Sequence, residues 1–166
     1  MCGNKNITPN PQVRGSPIIS LGHKHGDDTA TLLLVSLALG TTRNFMAKAE
    51  IKRFIKDIQS RFPDTVPLME KHESWALTFR MEEFANSTTF AFNENRLAEA
   101  ERHLSYISQK LDSATSIEFE YIDKYYVEHL FCNATPAGIK AGWPLVPNNL
   151  KKLYIDFHGK EPKSRS

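Results

Sequence analysis

Apolar residues recur three and four positions apart through most of the chain after residue 45. In the first such run, residues 46–62, Ile51, Phe54 and Ile58 fall on one side of a helix and most charged residues on the other. The same spacing predicts helices from about Pro67 to Phe84, from Asn93 or Asn95 to Leu111, from about Ser116 to Asn133, and from Pro147 to His158. About five amphipathic helices with short connections predict an all-α single domain in antiparallel, hairpin-like packing.

The ends of the last two helices carry typical terminal residues. Three residues could cap the helix that carries the tyrosines: Asp112, Ser113 and Ser116. Pro147 suits the first turn of the final helix, and Gly159 suits the left-handed residue that ends it. Trp143 and Pro144 predict a buried corner before that helix, because the residue before a proline avoids helical dihedral angles.

Residues 86–93 have no single prediction. The alternation from Thr89 to Phe92 favours a short strand, and an irregular loop is the other interpretation.

Residues 1–45 differ in character from the rest. The first 28 residues mix Gly, Pro, Asn and Ser without a period. The apolar run from Leu32 to Gly40 is too short to cross a bilayer, which takes ~20 apolar residues. A secretory signal is one interpretation of this run, although Asp27 and Asp28 stand where positive charge is expected.

A third interpretation is that translation starts at Met46, where the amphipathic pattern begins. We therefore expect three parts in the chain: residues 1–45 as a flexible or extraneous leader, 46–161 as the helical domain, and 162–166 as a flexible tail.

Composition and charge narrow the class of protein. With 40 % hydrophobic and 24 % charged residues, the chain is typical of soluble globular proteins. The net charge of +2 comes from residues 1–45, and the remainder is neutral, which argues against direct binding of nucleic acid. Cys2 and Cys132 do not form a disulfide framework, and we expect Cys132 to be a small buried apolar residue. A reducing, cytoplasmic location without membrane association is expected.

Two candidate sites of chemistry are weak in the sequence. The cluster His23, His25, Asp27 and Asp28 resembles a metal-binding run of metallo-hydrolases. A zinc site needs three or four convergent ligands, and an all-α domain is not the fold in which that run occurs. His129 lies three residues before Cys132 and could act as its base, yet such spacing is common by chance. We therefore expect no enzymatic activity, no metal and no cofactor.

An acidic helix face is the stronger candidate. Opposite the apolar face, the tyrosine-rich helix carries carboxylates with Tyr121 and Tyr125 at their edge: Glu118, Glu120, Asp123 and Glu128. Such a face is expected to be solvated and to attract a basic partner. Exposed tyrosines among carboxylates are also typical of binding hot spots. These six residues are the predicted partner-binding site.

Three stretches also carry a family resemblance: AEAERHLSYISQKL, IDKYYVEHLFCNA and GWPLVPNNLKKLYIDFHGKEP. The pattern resembles the C-terminal part of a family of small all-helical bacterial proteins, similar to immunity proteins encoded beside polymorphic toxins, including those of contact-dependent growth inhibition. The likeness covers about residues 46–161. His129 stands where that family usually has Asn, and His158 where it usually has Trp.

The resemblance implies a protein that binds a cognate toxin C-terminal domain and blocks its active site. Many nuclease toxins are basic, so an acidic face would fit one of them. The alternative is a helical scaffold or adaptor without a toxin partner.

Overall fold

The computed structural model describes residues 47–163. They lie in a compact unit assigned to Met46–Ser166. The predicted leader, residues 1–45, and residues 164–166 of the predicted tail lie outside the described residues, as does the run from His23 to Asp28. Within residues 47–163 the structure contains helices and no strand, which confirms the all-α prediction.

Seven α-helices follow one another in the described chain. They are α1 (residues 47–61), α2 (Val66–Met69), α3 (Leu77–Asn93), α4 (Leu97–Asp112), α5 (Ser116–Ile122), α6 (Pro136–Gly142) and α7 (Asn148–His158). Short 3₁₀ helices at Pro63–Thr65 and Trp143–Leu145 and a π-helical turn at Asp123–Val127 connect some of them.

Helix α1 has the one-sided pattern that the sequence predicted. Its stripe of Ile51, Phe54, Ile55 and Ile58, with Phe62 just beyond, is buried in the core. Its lysines are exposed. Burying one apolar stripe against the rest of the domain is the main reason that such a helix is stable.

Helix α3 lies at the centre of the domain and packs against α2, α4, α6 and the π-helical turn. It includes residues 86–93, so the strand and loop interpretations of that stretch were both wrong. Ser87, Thr88 and Thr89 are buried there, and their hydroxyls donate to the carbonyls of Glu83, Phe84 and Ala85, one turn earlier. These bonds satisfy the hydroxyls inside the helix, which is how polar residues are accommodated in a buried α-helix.

The hydroxyl of Thr88 also joins α3 to two neighbouring elements. It lies 3.2 Å from Nδ1 of His103 on α4 and 3.1 Å from the hydroxyl of Tyr126 in the π-helical turn. All three side chains are buried. Because an unpaired polar group in this position would be costly, the network fixes how the three elements meet.

The chain between Pro67 and Phe84 departs from the predicted continuous helix. Helix α2 ends at Met69, and residues 70–76 form a link without helix before α3 begins at Leu77. The interruption lets α2 fold back against α3. The apolar spacing continues across the link, which is why periodicity alone indicated one helix.

The tyrosine-rich segment is also shorter than predicted. Its cap is Thr115, whose hydroxyl accepts from the Glu118 N–H at 3.2 Å, rather than any of the three predicted residues. Helix α5 passes into the π-helical turn, and the chain then turns at Phe131, a non-glycine residue with a φ of 67°. The N–H of Phe131 donates to Thr89 Oγ1 at 3.1 Å, so α3 holds this left-handed residue in place.

Helix α6 lies between the last two predicted helices, in a stretch for which the sequence predicted no helix. Thr135 caps it, Pro136 fits its first turn, and its glycines face α3. A Cβ atom at Gly142 would lie 2.5 Å from Cγ of Phe92, and one at Gly138 would lie 2.3 Å from Oδ1 of Asn93. The two helices can approach this closely only because both positions lack a side chain.

The final helix agrees with the sequence at its end. Gly159 has a φ of 73° and its N–H donates to the carbonyl of Ile155, as expected for a helix C-terminus. Leu150 and Tyr154 are buried, whereas Phe157, which follows them at helical spacing, is exposed. Trp143 is half-buried rather than buried, and it lies in a short 3₁₀ helix.

The close contact of α6 and α3 gives the first prediction. Replacing Gly142→Ala should destabilise the domain by ~1–3 kcal/mol, because the added methyl meets the immobile ring of Phe92. Ala137→Ser on the exposed side of α6 should change the stability by less than about 0.5 kcal/mol. Urea unfolding of both variants measures this, and equal midpoints would show that α6 can move away from α3.

The buried position of His103 predicts a pH-dependent stability. Desolvation lowers the pKa of His103 to about 4, below the ordinary value of about 6.5 expected in the unfolded chain. The unfolded state therefore binds the extra proton between these values, and stability falls as the pH drops. From pH 7 to pH 5, this one group should lose about 2 kcal/mol of the free energy of unfolding.

The matched variant for this measurement is His103→Gln, which cannot titrate. The free energy of unfolding of both proteins is measured at pH 5, 6 and 7, and its slope against pH is compared. The contribution of the carboxylates is common to both proteins and cancels in the difference between the two slopes. A wild-type slope no steeper than the slope of His103→Gln would contradict the assignment.

Candidate partner-binding surface

Two of the six predicted binding residues are structural. Glu118 is only 7 % exposed and pairs with Lys110 of α4 at 2.7 Å, while its second carboxylate oxygen accepts from the Thr115 N–H at 3.2 Å. Tyr121 is 6 % exposed and donates its hydroxyl hydrogen to the carbonyl of Leu77. Their prediction as surface residues was wrong, because α4 and the start of α3 cover that part of α5.

The other four lie at least partly on the surface. Glu120 is exposed and pairs with Lys124 at 2.5 Å, one helical turn away. Asp123, Tyr125 and Glu128 are half-buried. The π-helical turn changes the angle between successive side chains, so these residues do not continue the straight row expected of an α-helix.

Carboxylates from other helices join this region. Burial raises the pKa of Asp123, and Asp156 of α7 raises it further, although Lys124 opposes the shift. Burial likewise raises the pKa of Glu82 on α3, where Glu83 and Glu128 add repulsion and His129 and His72 partly offset it. Burial is the larger cause of both shifts, and the neighbouring carboxylates add to each of them.

Two histidines separate the adjacent carboxylates of α3. Glu83 lies 3.0 Å from Nε2 of His72, and Glu82 lies 3.7 Å from Nε2 of His129. Neighbouring residues on a helix point apart. The two glutamates accordingly reach different partners and do not form an acid–base pair.

An apolar groove opens beside these carboxylates. It has a volume of about 340 Å³ and lies between the start of α1 and the link before α3. Trp75 and Phe79 form its exposed wall, with 67 % and 49 % of their surfaces accessible. The remaining lining residues are Ala47, Lys48, Ile51, Ala76, Leu77, Thr78 and Tyr121.

The groove and the predicted face are connected through the tyrosines. Tyr121 lines the groove, and its ring centre lies 5.2 Å from that of Tyr125. On the other side, the ring of Phe79 stacks on His72 at 5.3 Å, and His72 bonds Glu83. We give the name acidic–aromatic surface to three exposed residues, Trp75, Phe79 and Glu120, together with five half-buried ones, Glu82, Glu83, Asp123, Tyr125 and Glu128.

Sequence reasoning missed the aromatic half of this surface. Trp75 and Phe79 follow the apolar spacing of the helix predicted from Pro67 to Phe84, and this spacing did not indicate that they are exposed. The serine and glutamate that precede Trp75 were the available signal, since a polar pair inside an apolar run is typical of a turn.

The structure adds little support for the two candidate sites of chemistry named from the sequence. Cys132 is half-buried, not buried as expected, and it lies in the turn after Glu128. Among residues 47–163, no group of three or more His, Cys, Asp and Glu side chains is placed to hold a metal ion. No helix of this part of the chain is long and apolar enough to cross a membrane.

Comparison with known proteins places most of this domain in one family. The family model described as Domain of unknown function (DUF7674) matches residues 55–159. No curated protein and no solved structure matches the chain.

The distinction between structural and exposed carboxylates can be tested by measuring the free energy of unfolding of variants. Glu118→Ala should cost ~1–3 kcal/mol, because it removes the reciprocal cap of α5 and leaves Lys110 without its partner. Glu120→Ala should change the free energy of unfolding by less than about 0.5 kcal/mol, since its ion pair is solvent-exposed. Denaturant unfolding compares the two, and similar losses would contradict the structural role of Glu118.

Proposed function

The chain belongs to the DUF7674 family, whose function is unknown, and we propose that it is an immunity protein. It would bind a cognate bacterial toxin domain of the contact-dependent inhibition type and block its active site in the cytoplasm. The resemblance of its helices to small immunity proteins supports the proposal. A protein of this kind acts through a complementary surface and needs no catalytic group of its own.

The observation that carries the proposal is the crowding of carboxylates around α3, the π-helical turn and α7. Glu82 has Glu83 and Glu128 as acidic neighbours, and Asp123 has Asp156. Holding like charges together costs free energy in the free protein. A basic partner would relieve that repulsion, so the arrangement favours binding of a positively charged protein surface.

The same charges would act before contact. Negative potential on one side of the protein accelerates the approach of a basic partner and selects its orientation, and salt weakens this effect. A basic nuclease domain would satisfy this requirement.

The test is co-expression with the C-terminal domain encoded by the adjacent upstream reading frame. Growth rescue together with a stable complex in a pull-down supports the immunity function. Toxicity without rescue, or a neighbour that is not toxic, favours the helical scaffold or adaptor instead.

Within that complex, neutralising Glu120→Gln and Asp123→Asn together should weaken binding about tenfold, mainly through slower association at low salt. The control is the double variant Glu94→Gln and Glu101→Gln, which removes the same charge from exposed positions before and within α4. Surface plasmon resonance at two salt concentrations gives both rate constants. Unchanged affinity in the first variant, or equal losses in both, would exclude this face.

A further inference from the structure

Trp75 stands at the tip of a tight turn beside the acidic groups. The turn is closed by the Ala76 N–H, which donates to the carbonyl of Glu73 at 2.9 Å. With 67 % of its surface accessible, Trp75 is the most exposed large apolar side chain among residues 47–163. An accessible tryptophan next to a second exposed ring is a typical mark of a protein-binding site.

The link that carries Trp75 is fixed to α3 by one residue. The imidazole of His72 bonds Glu83 at 3.0 Å and stacks on Phe79, and the His72 carbonyl accepts from Nη2 of Arg80 at 3.0 Å. Its N–H also donates to the Met69 carbonyl at 3.4 Å. A side chain presented by a link with these contacts loses little conformational freedom on binding, which favours affinity.

The charges around the groove indicate what it accepts. Phe79, Glu82 and Glu83 lie three and four residues apart and therefore share one side of α3. An occupant that places an apolar side chain against the rings would bring the neighbouring part of its chain beside these carboxylates. Lys48, on the α1 side, is the one charged residue among those that line the groove, and Glu82 and Glu83 lie beyond Phe79 along α3.

We propose that Trp75 and Phe79 are the anchor of the toxin interface, which rests on the function proposed above. The groove receives an apolar side chain from the toxin domain, and a lysine or arginine beside it pairs with Glu82 or Glu83. The acidic residues of the π-helical turn then form the polar edge of the same interface. The anchor supplies slow dissociation, and the surrounding charges supply fast association.

The experiment measures the association and dissociation rate constants of the full chain with the upstream-encoded toxin domain. Trp75→Ala should weaken the affinity at least about 30-fold, chiefly through faster dissociation. The matched control is Phe90→Ala, which removes another exposed ring of α3, about three turns from Phe79. The control should retain affinity within about threefold.

Loss of binding through misfolding is not expected for Trp75→Ala, because Trp75 is largely exposed. The fold of each variant is checked by circular dichroism before binding is measured. A wild-type chain that binds while Trp75→Ala binds equally well overturns the anchor and leaves the immunity function standing. Equal losses in Trp75→Ala and Phe90→Ala also overturn it. A wild-type chain that binds no toxin domain overturns the proposed function and, with it, this inference.

Discussion

The hydroxyl of Thr88 is the contact on which the architecture depends. Helix α3 is surrounded by other elements, so its polar side chains must find partners inside the protein. Thr88 meets His103 of α4 and Tyr126 of the π-helical turn, while its neighbour Thr89 holds the left-handed Phe131. A sliding movement of α3 would break bonds to several elements at once. The directional bonds therefore add a fixed register to a core that is otherwise held by non-directional apolar contacts.

The rigid centre and the acidic–aromatic surface share the same helix. The side of α3 that carries Thr88 is buried, whereas in its first turns Phe79 is exposed and Glu82 and Glu83 are half-buried. Three of the groups proposed to meet a partner are therefore placed on the best-supported element of the domain, and the link that carries Trp75 is bonded to the same helix. Sites on regular elements hold their geometry better than sites on loops, which suits an interface that must match a preformed surface.

The sequence predicted the elements that have one apolar side. Helix α1 and the end of α7 agree with their patterns, because one stripe is buried and one well-signalled cap ends the helix. Helix α3 was missed in part because it is buried on most sides and holds Ser87, Thr88 and Thr89, which weaken the periodic signal. Helix α6 was missed because Gly138 and Gly142 resemble turn residues, and only the distance to α3 reveals why they are needed.

Only four of the six residues predicted for the acidic face lie at least partly on the surface, for a similar reason. Spacing placed Glu118 and Glu120 together on the surface of α5. Glu118 is buried instead, because it pairs with a lysine of α4 and completes the cap at Thr115. Such long-range partners leave no trace in local periodicity. Trp75 was placed in a continuous helix because the link at residues 70–76 interrupts that helix without interrupting the apolar pattern.

The two tryptophans of the chain occupy contrasting environments. Trp143 is half-buried beside Phe131 and Tyr154, with ring centres 6.0 and 5.4 Å away, whereas Trp75 faces solvent at the groove. Emission from Trp143 therefore follows the packing of α6 and α7, and emission from Trp75 follows the occupancy of the groove. The chain thus contains two intrinsic fluorophores that separate folding from binding without any label.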